Sequence, residues 1–225
     1  MRTAIVTGAS SGIGEAIVKR LLAEGWQVTG LSRRGVDNAH PNFTSLSLDL
    51  SDTVTLATAL NALPVPQAIV HAAGMMAAAP LGELDPVVSG RLWGLHIHAA
   101  EILFNQFAPR MSAGGRLVAI GSRTSRGAAG RSQYVATKAA LVGMVRSWAA
   151  ELAPRGITAN VVAPGATQTP MLSAPGRQTS PPKVPPMGRL IAPEEVAAMV
   201  SYLLSADAAP VTGQELVLCG GASLG

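Results

Sequence analysis

The 225-residue chain has a single cysteine, Cys219, so no intramolecular disulfide can form. That suits a reducing compartment, and a cytoplasmic protein is expected. Aromatic residues are also scarce, at 4%. The net charge of +4 is carried by arginines spread along the chain rather than gathered on one face. Nucleic-acid binding needs a dense basic surface with aromatic stacking platforms, so that class is excluded and an anionic small molecule fits better. No apolar run reaches the ~18 residues of a membrane span. The first strand is expected from about Thr3, leaving no room for a signal peptide. Only 13% of residues are charged against 48% hydrophobic, which argues against disorder.

What the chain has is an alternation of short apolar runs, glycine turns and helical periods. Strands are expected at Ala4–Val6, Val28–Leu31, Phe43–Leu48, Ala68–Val70, Arg116–Ile120, Ala159–Ala163 and Leu216–Leu218. Helices are expected at about Gly12–Glu24, Val54–Leu63, Val87–Phe107, Tyr134–Ala153 and Pro193–Leu204. Such alternation implies an α/β fold, a doubly wound parallel sheet with helices on both faces. The length suits one domain over residues 1–225. One proline-rich stretch, Ser173–Pro186, reads as a loop over a ligand site within a substrate-loop region at residues 170–192.

The segment Thr7-Gly8-Ala9-Ser10-Ser11-Gly12-Ile13-Gly14 joins the first strand to the first helix. Glycines allow a tight turn and close backbone approach, and a helix N-terminus favours phosphate. A glycine-rich turn without ligand is the plainer alternative. The spacing Gly8-x-x-x-Gly12-x-Gly14 resembles the cofactor motif of the short-chain dehydrogenase/reductase family. It differs from the G-x-G-x-x-G of other dinucleotide folds and lacks the lysine of an ATP-binding loop. The second strand ends in Ser32-Arg33-Arg34, where an NAD site usually places a carboxylate. Guanidinium groups there suit a 2′-phosphate, so NADP(H) is the expected cofactor; two solvated loop arginines are the alternative.

The resemblance extends over nearly the whole chain. It implies cofactor contacts from Ser10, Ser11, Ile13, Asp49, Leu50, Ala72, Ala73, Gly74, Pro164, Gly165, Thr167 and Thr169. Asp49 matches the family residue that accepts from the adenine amino group. His71-Ala72-Ala73-Gly74 stands where the family has Asn-Asn-Ala-Gly, and His71 reads as a structural substitute for a sheet-bracing asparagine. Cys219 stands where an Asp is usual.

Tyr134-x-x-x-Lys138 puts two side chains on one helical face. A nearby ammonium favours the phenolate of a group whose ordinary pKa is about 10. Ser122 ends the fifth strand, at the edge where open α/β sheets bind ligands. The three match the family's catalytic set, in which Ser122 bonds the substrate oxygen, Tyr134 gives or removes its proton, and Lys138 bonds the nicotinamide ribose. His96 falls where the family has an asparagine completing a proton relay. It could bond helix backbone as Asn does, titrate as an imidazole, or merely pack.

Arg123, Arg126 and Arg131 lie between Ser122 and Tyr134 and could bind an anionic substrate, or face solvent or a subunit interface. The expected activity is hydride transfer between NADP(H) and a small carbonyl or alcohol compound. The resemblance also implies a homo-oligomer, a tetramer or dimer. The alternatives are a non-catalytic NADP(H) sensor, a sugar-nucleotide epimerase or dehydratase, whose substrate region is larger, and an enoyl reductase, whose Tyr-to-Lys spacing is longer.

Overall fold

Seven short strands become one parallel sheet because each crossover returns the chain to the same end of the sheet. The computed structural model describes residues 1–173, 181 and 183–224. The strands are β1 (Thr3–Thr7), β2 (Gln27–Ser32), β3 (Phe43–Ser47), β4 (Ala68–His71), β5 (Arg116–Ile120), β6 (Thr158–Pro164) and β7 (Glu215–Leu218). The helices are α1 (Gly12–Ala23), α2 (Thr53–Asn61), α3 (Pro86–Trp93), α4 (Ala99–Phe107), α5 (Ser132–Leu152) and α6 (Pro193–Leu204). The strand order is β3-β2-β1-β4-β5-β6-β7, and every pairing is parallel. The winding reverses between β1 and β4, and such a switch point is where doubly wound sheets open a ligand crevice.

Strand alternation divides the core between the two faces. Ile5, Ile69, Leu117, Ala119 and Val161 pack with α2, α4 and α5. Ala4, Val6, Val70, Val118, Ile120 and Val162 pack with α1 and α6. Strands buried on both faces explain why these segments read as continuous apolar runs. Each fully buried Leu, Ile or Val side chain contributes about 1.5–3 kcal/mol.

The single helix expected over Val87–Phe107 is interrupted. Asp85 caps α3 by accepting from the Val87 N–H, and Pro86 occupies the first turn, where its missing N–H costs nothing. Between α3 and α4 lies a π-helical turn, Gly94–His98, closed by the Ala99 N–H on the Gly94 carbonyl. π turns are rare and concentrate at functional positions; this one carries His96. No helix among the described residues is long and apolar enough to cross a membrane. Of the expected proline-rich loop, residues 174–180 and 182 lie outside the described residues.

Candidate active site

The carboxyl ends of the central strands open into a cleft of about 1230 Å³. One stretch of its wall is the turn after β1, with Gly8, Ser10, Ser11, Gly12, Ile13 and Gly14. Two of these glycines are demanded by the space around them. Gly8 has φ +70°, and a Cβ there would sit 2.9 Å from the Ala73 Cα. At Gly14 a Cβ would lie 2.2 Å from the Gly8 carbonyl oxygen. The turn and the start of α1 therefore fold directly onto each other and onto the end of β4.

Further along come Ser32, Arg33 and Arg34, then Asp49, Leu50 and Ser51. The Ser32 hydroxyl donates to the Arg34 carbonyl at 2.7 Å. Arg33 and Arg34 are exposed and project from a strand end that carries no carboxylate. Asp49 accepts from the Ser51 N–H at 2.9 Å and its hydroxyl at 2.7 Å. Those bonds hold its carboxyl below the usual range. An extended cleft, a phosphate-sized glycine cradle and paired guanidiniums fit a dinucleotide.

Ser122, Tyr134 and Lys138 line the same cleft, with Pro164, Gly165, Thr167 and Thr169. The Ser122 oxygen accepts from the Thr124 N–H at 3.2 Å and lies 2.9 Å from the Thr124 hydroxyl. The buried Lys138 ammonium donates to the Ile120 carbonyl at 2.8 Å. It lies 5.9 Å from the centre of the Tyr134 ring. With no carboxylate beside it, burial pushes the Lys138 amine down to about 7.

The two histidines solve different problems. Thr7 Oγ1 accepts from the Ala72 and Ala73 N–H groups at 3.1 and 3.0 Å. With its lone pairs engaged, that hydroxyl donates to His71 Nδ1 at 3.0 Å. His71 thus braces β1 against β4, the substitution expected from the sequence. Its buried Nε2 has no hydrogen-bond partner among the described residues.

His96 Nε2 accepts from the Met75 N–H at 3.1 Å. His96 Nδ1 is 2.8 Å from Thr137 Oγ1, whose proton goes to the Tyr134 carbonyl at 2.8 Å. The imidazole is therefore neutral, with its proton on Nδ1. It ties the residue after Gly74 to Thr137 in the second turn of the helix bearing Tyr134, and it meets the Tyr134 ring edge-on at 5.7 Å. The expected bond to its own helix backbone is replaced by one to the backbone after β4. Desolvation and then the nearby Lys138 charge hold His96 well below its usual pKa and bring His71 down to about 3.

These directions fix a pH dependence. A buried histidine whose folded pKa is depressed contributes stability present above about 6.5 and lost as pH falls toward the folded value. For His71 this costs about 2 kcal/mol at pH 5 relative to pH 7, and His96 acts in the same direction. His96→Asn, which cannot titrate, is expected to keep most activity and to flatten the acid loss in thermal melts between pH 7 and 5. His96→Leu strands the Met75 N–H, a cost of about 1–3 kcal/mol. A Leu variant as stable and active as the parent would reduce His96 to packing.

The cleft also receives Arg123 and Arg131. Arg126 does not join them. Its side chain is 83% exposed and lies 3.8 Å from Glu215, which also accepts from the Ser125 hydroxyl at 2.6 Å. This pairing across 89 residues draws Arg126 out of the expected substrate-binding group. Sequence reasoning did not single out Thr137, Met75, Met76, Arg91 or Lys183; a threonine between Tyr134 and Lys138 on the buried face was the available signal for the first.

The family model described as Enoyl-(Acyl carrier protein) reductase matches residues 8–223. The chain is 34% identical over 239 residues to the 3-oxoacyl-[acyl-carrier-protein] reductase FabG of Salmonella typhimurium, covering 98% of this chain and 96% of that protein. It superposes on a solved short chain dehydrogenase/reductase family protein with TM-score 0.90 at 33% identity, over 100% of this chain and 98% of the other. A blue fluorescent protein from a metagenomic library, solved in complex with NADPH, aligns with TM-score 0.86 at 31% identity, over 99% and 98% of the two chains.

Proposed function

The chain belongs to the short-chain dehydrogenase/reductase family of nicotinamide-dependent oxidoreductases, and from that premise we propose that it is an NADP(H)-dependent carbonyl reductase of small molecules. One observation carries the reading: Ser122, Tyr134 and Lys138 line the same cleft as a strand end bearing Arg33 and Arg34 but no acid. The NADPH complex of a 31%-identical structure supports the cofactor. A sensor without chemistry finds no support among relatives named as reductases. The four-residue spacing from Tyr134 to Lys138 favours carbonyl over enoyl reduction. A single cysteine fits a reducing cytoplasm.

When bound, the nicotinamide supplies the hydride, or accepts it in the reverse direction. Ser122 and Tyr134 hold the carbonyl oxygen by donating hydrogen bonds, which fixes the face presented for reduction. Tyr134 gives its phenolic proton as the oxygen becomes an alkoxide. Lys138, locked to the Ile120 carbonyl by one N–H, has others to steady the tyrosine oxygen and the ribose hydroxyls. His96 and Thr137 hold the first turn of α5 in place while remaining uncharged.

The direct test follows NADPH and NADH oxidation across a panel of ketones and aldehydes. Turnover with NADPH is expected; NADPH binding without oxidation of any member would return the sensor reading. Arg33→Ala is expected to weaken NADPH binding by about 1.5–3 kcal/mol, roughly 10- to 10²-fold, and to spare NADH. Equal losses for the two cofactors would remove the 2′-phosphate assignment.

A further inference from the structure

The charges lining the cleft are one-sided. Asp49 is the one carboxylate among the described lining residues, and it sits beside Ser51, among the groups after β3. Besides Arg33, Arg34 and Lys138, the cations among the described lining residues are Arg91, Arg123, Arg131 and Lys183, and Arg123 and Arg131 lie in the segment between Ser122 and Tyr134. The cofactor's phosphates do not account for them: the 2′-phosphate is matched by Arg33 and Arg34, and the pyrophosphate by the glycine turn and the start of α1.

Two of these cations are placed rather than loose. Arg123 follows Ser122 directly, is half-buried, and donates from Nη1 to the Ala222 carbonyl at 3.3 Å. Lys183 is exposed. Arg131 is half-buried one helical turn before Tyr134, so both lie on one side of α5. It also holds the helix cap position, where its side chain makes no capping bond. An arginine there cannot accept from the helix N–H groups, and its charge opposes the positive end of a 21-residue helix. A residue that breaks local rules at a cleft marks a position kept for function.

We propose that the substrate is a small carbonyl compound carrying an anionic oxygen group, carboxylate or phosphate, held by Arg131 and Arg123 beside Tyr134. This rests on the reductase reading for the carbonyl, but the anion site can be measured without turnover. The fork of a guanidinium suits both oxyanions.

The experiment titrates hexanoate, hexyl phosphate and hexan-1-ol into the NADPH-loaded protein and reads the change in NADPH fluorescence. At least one anion is expected to bind about tenfold or more tightly than the alcohol, as one charge-assisted bond implies. Which anion wins identifies the group. Arg131→Gln should remove most of that preference and Arg131→Lys should restore part of it. In turnover, levulinate should exceed its methyl ester in kcat/KM through a lower KM. Equal binding of all three probes by the wild-type protein overturns the proposal, and that arm needs no variant to fold. A preference untouched by Arg131→Gln and by Arg123→Gln overturns the assignment of residues. Anion preference without any carbonyl turnover upholds the site and counts against the reductase reading alone.

Discussion

Tyr134→Phe is expected to lower turnover by roughly 10²- to 10⁴-fold while NADPH still binds. The substitution removes one oxygen and keeps the ring, so the edge-on contact with His96 at 5.7 Å survives. So do the backbone links through Thr137, because the Tyr134 carbonyl and not its hydroxyl accepts from Thr137. The fold and the phosphate cradle should therefore be unaffected, and the loss should fall on kcat. Single-turnover rates with saturating NADPH separate it from weakened substrate binding. A Phe variant with undiminished kcat would dismiss Tyr134 as the proton donor.

Gly14→Ala should have the largest effect on cofactor binding. The added methyl would be 2.2 Å from the Gly8 oxygen and 2.6 Å from its carbonyl carbon. Both are backbone atoms of the same turn, and Gly8 is itself pressed onto Ala73. The turn has no side chain to swing away, so it must shift as a unit. Overpacking of this kind costs about 1–3 kcal/mol of stability. A displaced cradle should raise the NADPH dissociation constant on the order of 10²-fold, the scale set by ~1 Å misplacements at reacting sites. Fluorescence titration and thermal melting read the two effects separately. An Ala variant with parental affinity and melting temperature would show that the close approach is not needed.

Strands and the glycine turn were legible because their signals are local. A buried parallel strand must be apolar on both faces, so Ala68–Val70 and Arg116–Ile120 stand out without any partner in view. The strand ends fell within a residue or two, where pairing rather than composition decides. Ser122, Tyr134 and Lys138 were legible because a helical spacing and a strand end both constrain where they point. The π turn was not. Its residues, Gly94-Leu95-His96-Ile97-His98, continue the apolar period of their neighbours, and the partners of His96 within it, Met75 and Thr137, are distant in sequence. Arg126 was left open in the sequence for a related reason. A loop arginine has no periodicity to orient it, and the residue that claims it, Glu215, is far along the chain. His96 lay between these cases: its position was visible, but its partners and hence its tautomer came only with the tertiary contacts.

The Thr7 brace has a kinetic meaning. One hydroxyl gathers His71 Nδ1 and the Ala72 and Ala73 amides from 64 to 66 residues away, and Gly8 then closes onto Ala73. The first strand-helix-strand unit can form early from local contacts, yet it has no finished cradle until β4 docks beside β1. Long-range parallel pairings close slowly, because loop entropy must be overcome before they are rewarded. Once β4 is in place, cofactor binding stabilises the docked state by mass action. The dinucleotide acts as a latch on the junction of β1 with β4, because the cradle it occupies exists only when those two strands are paired.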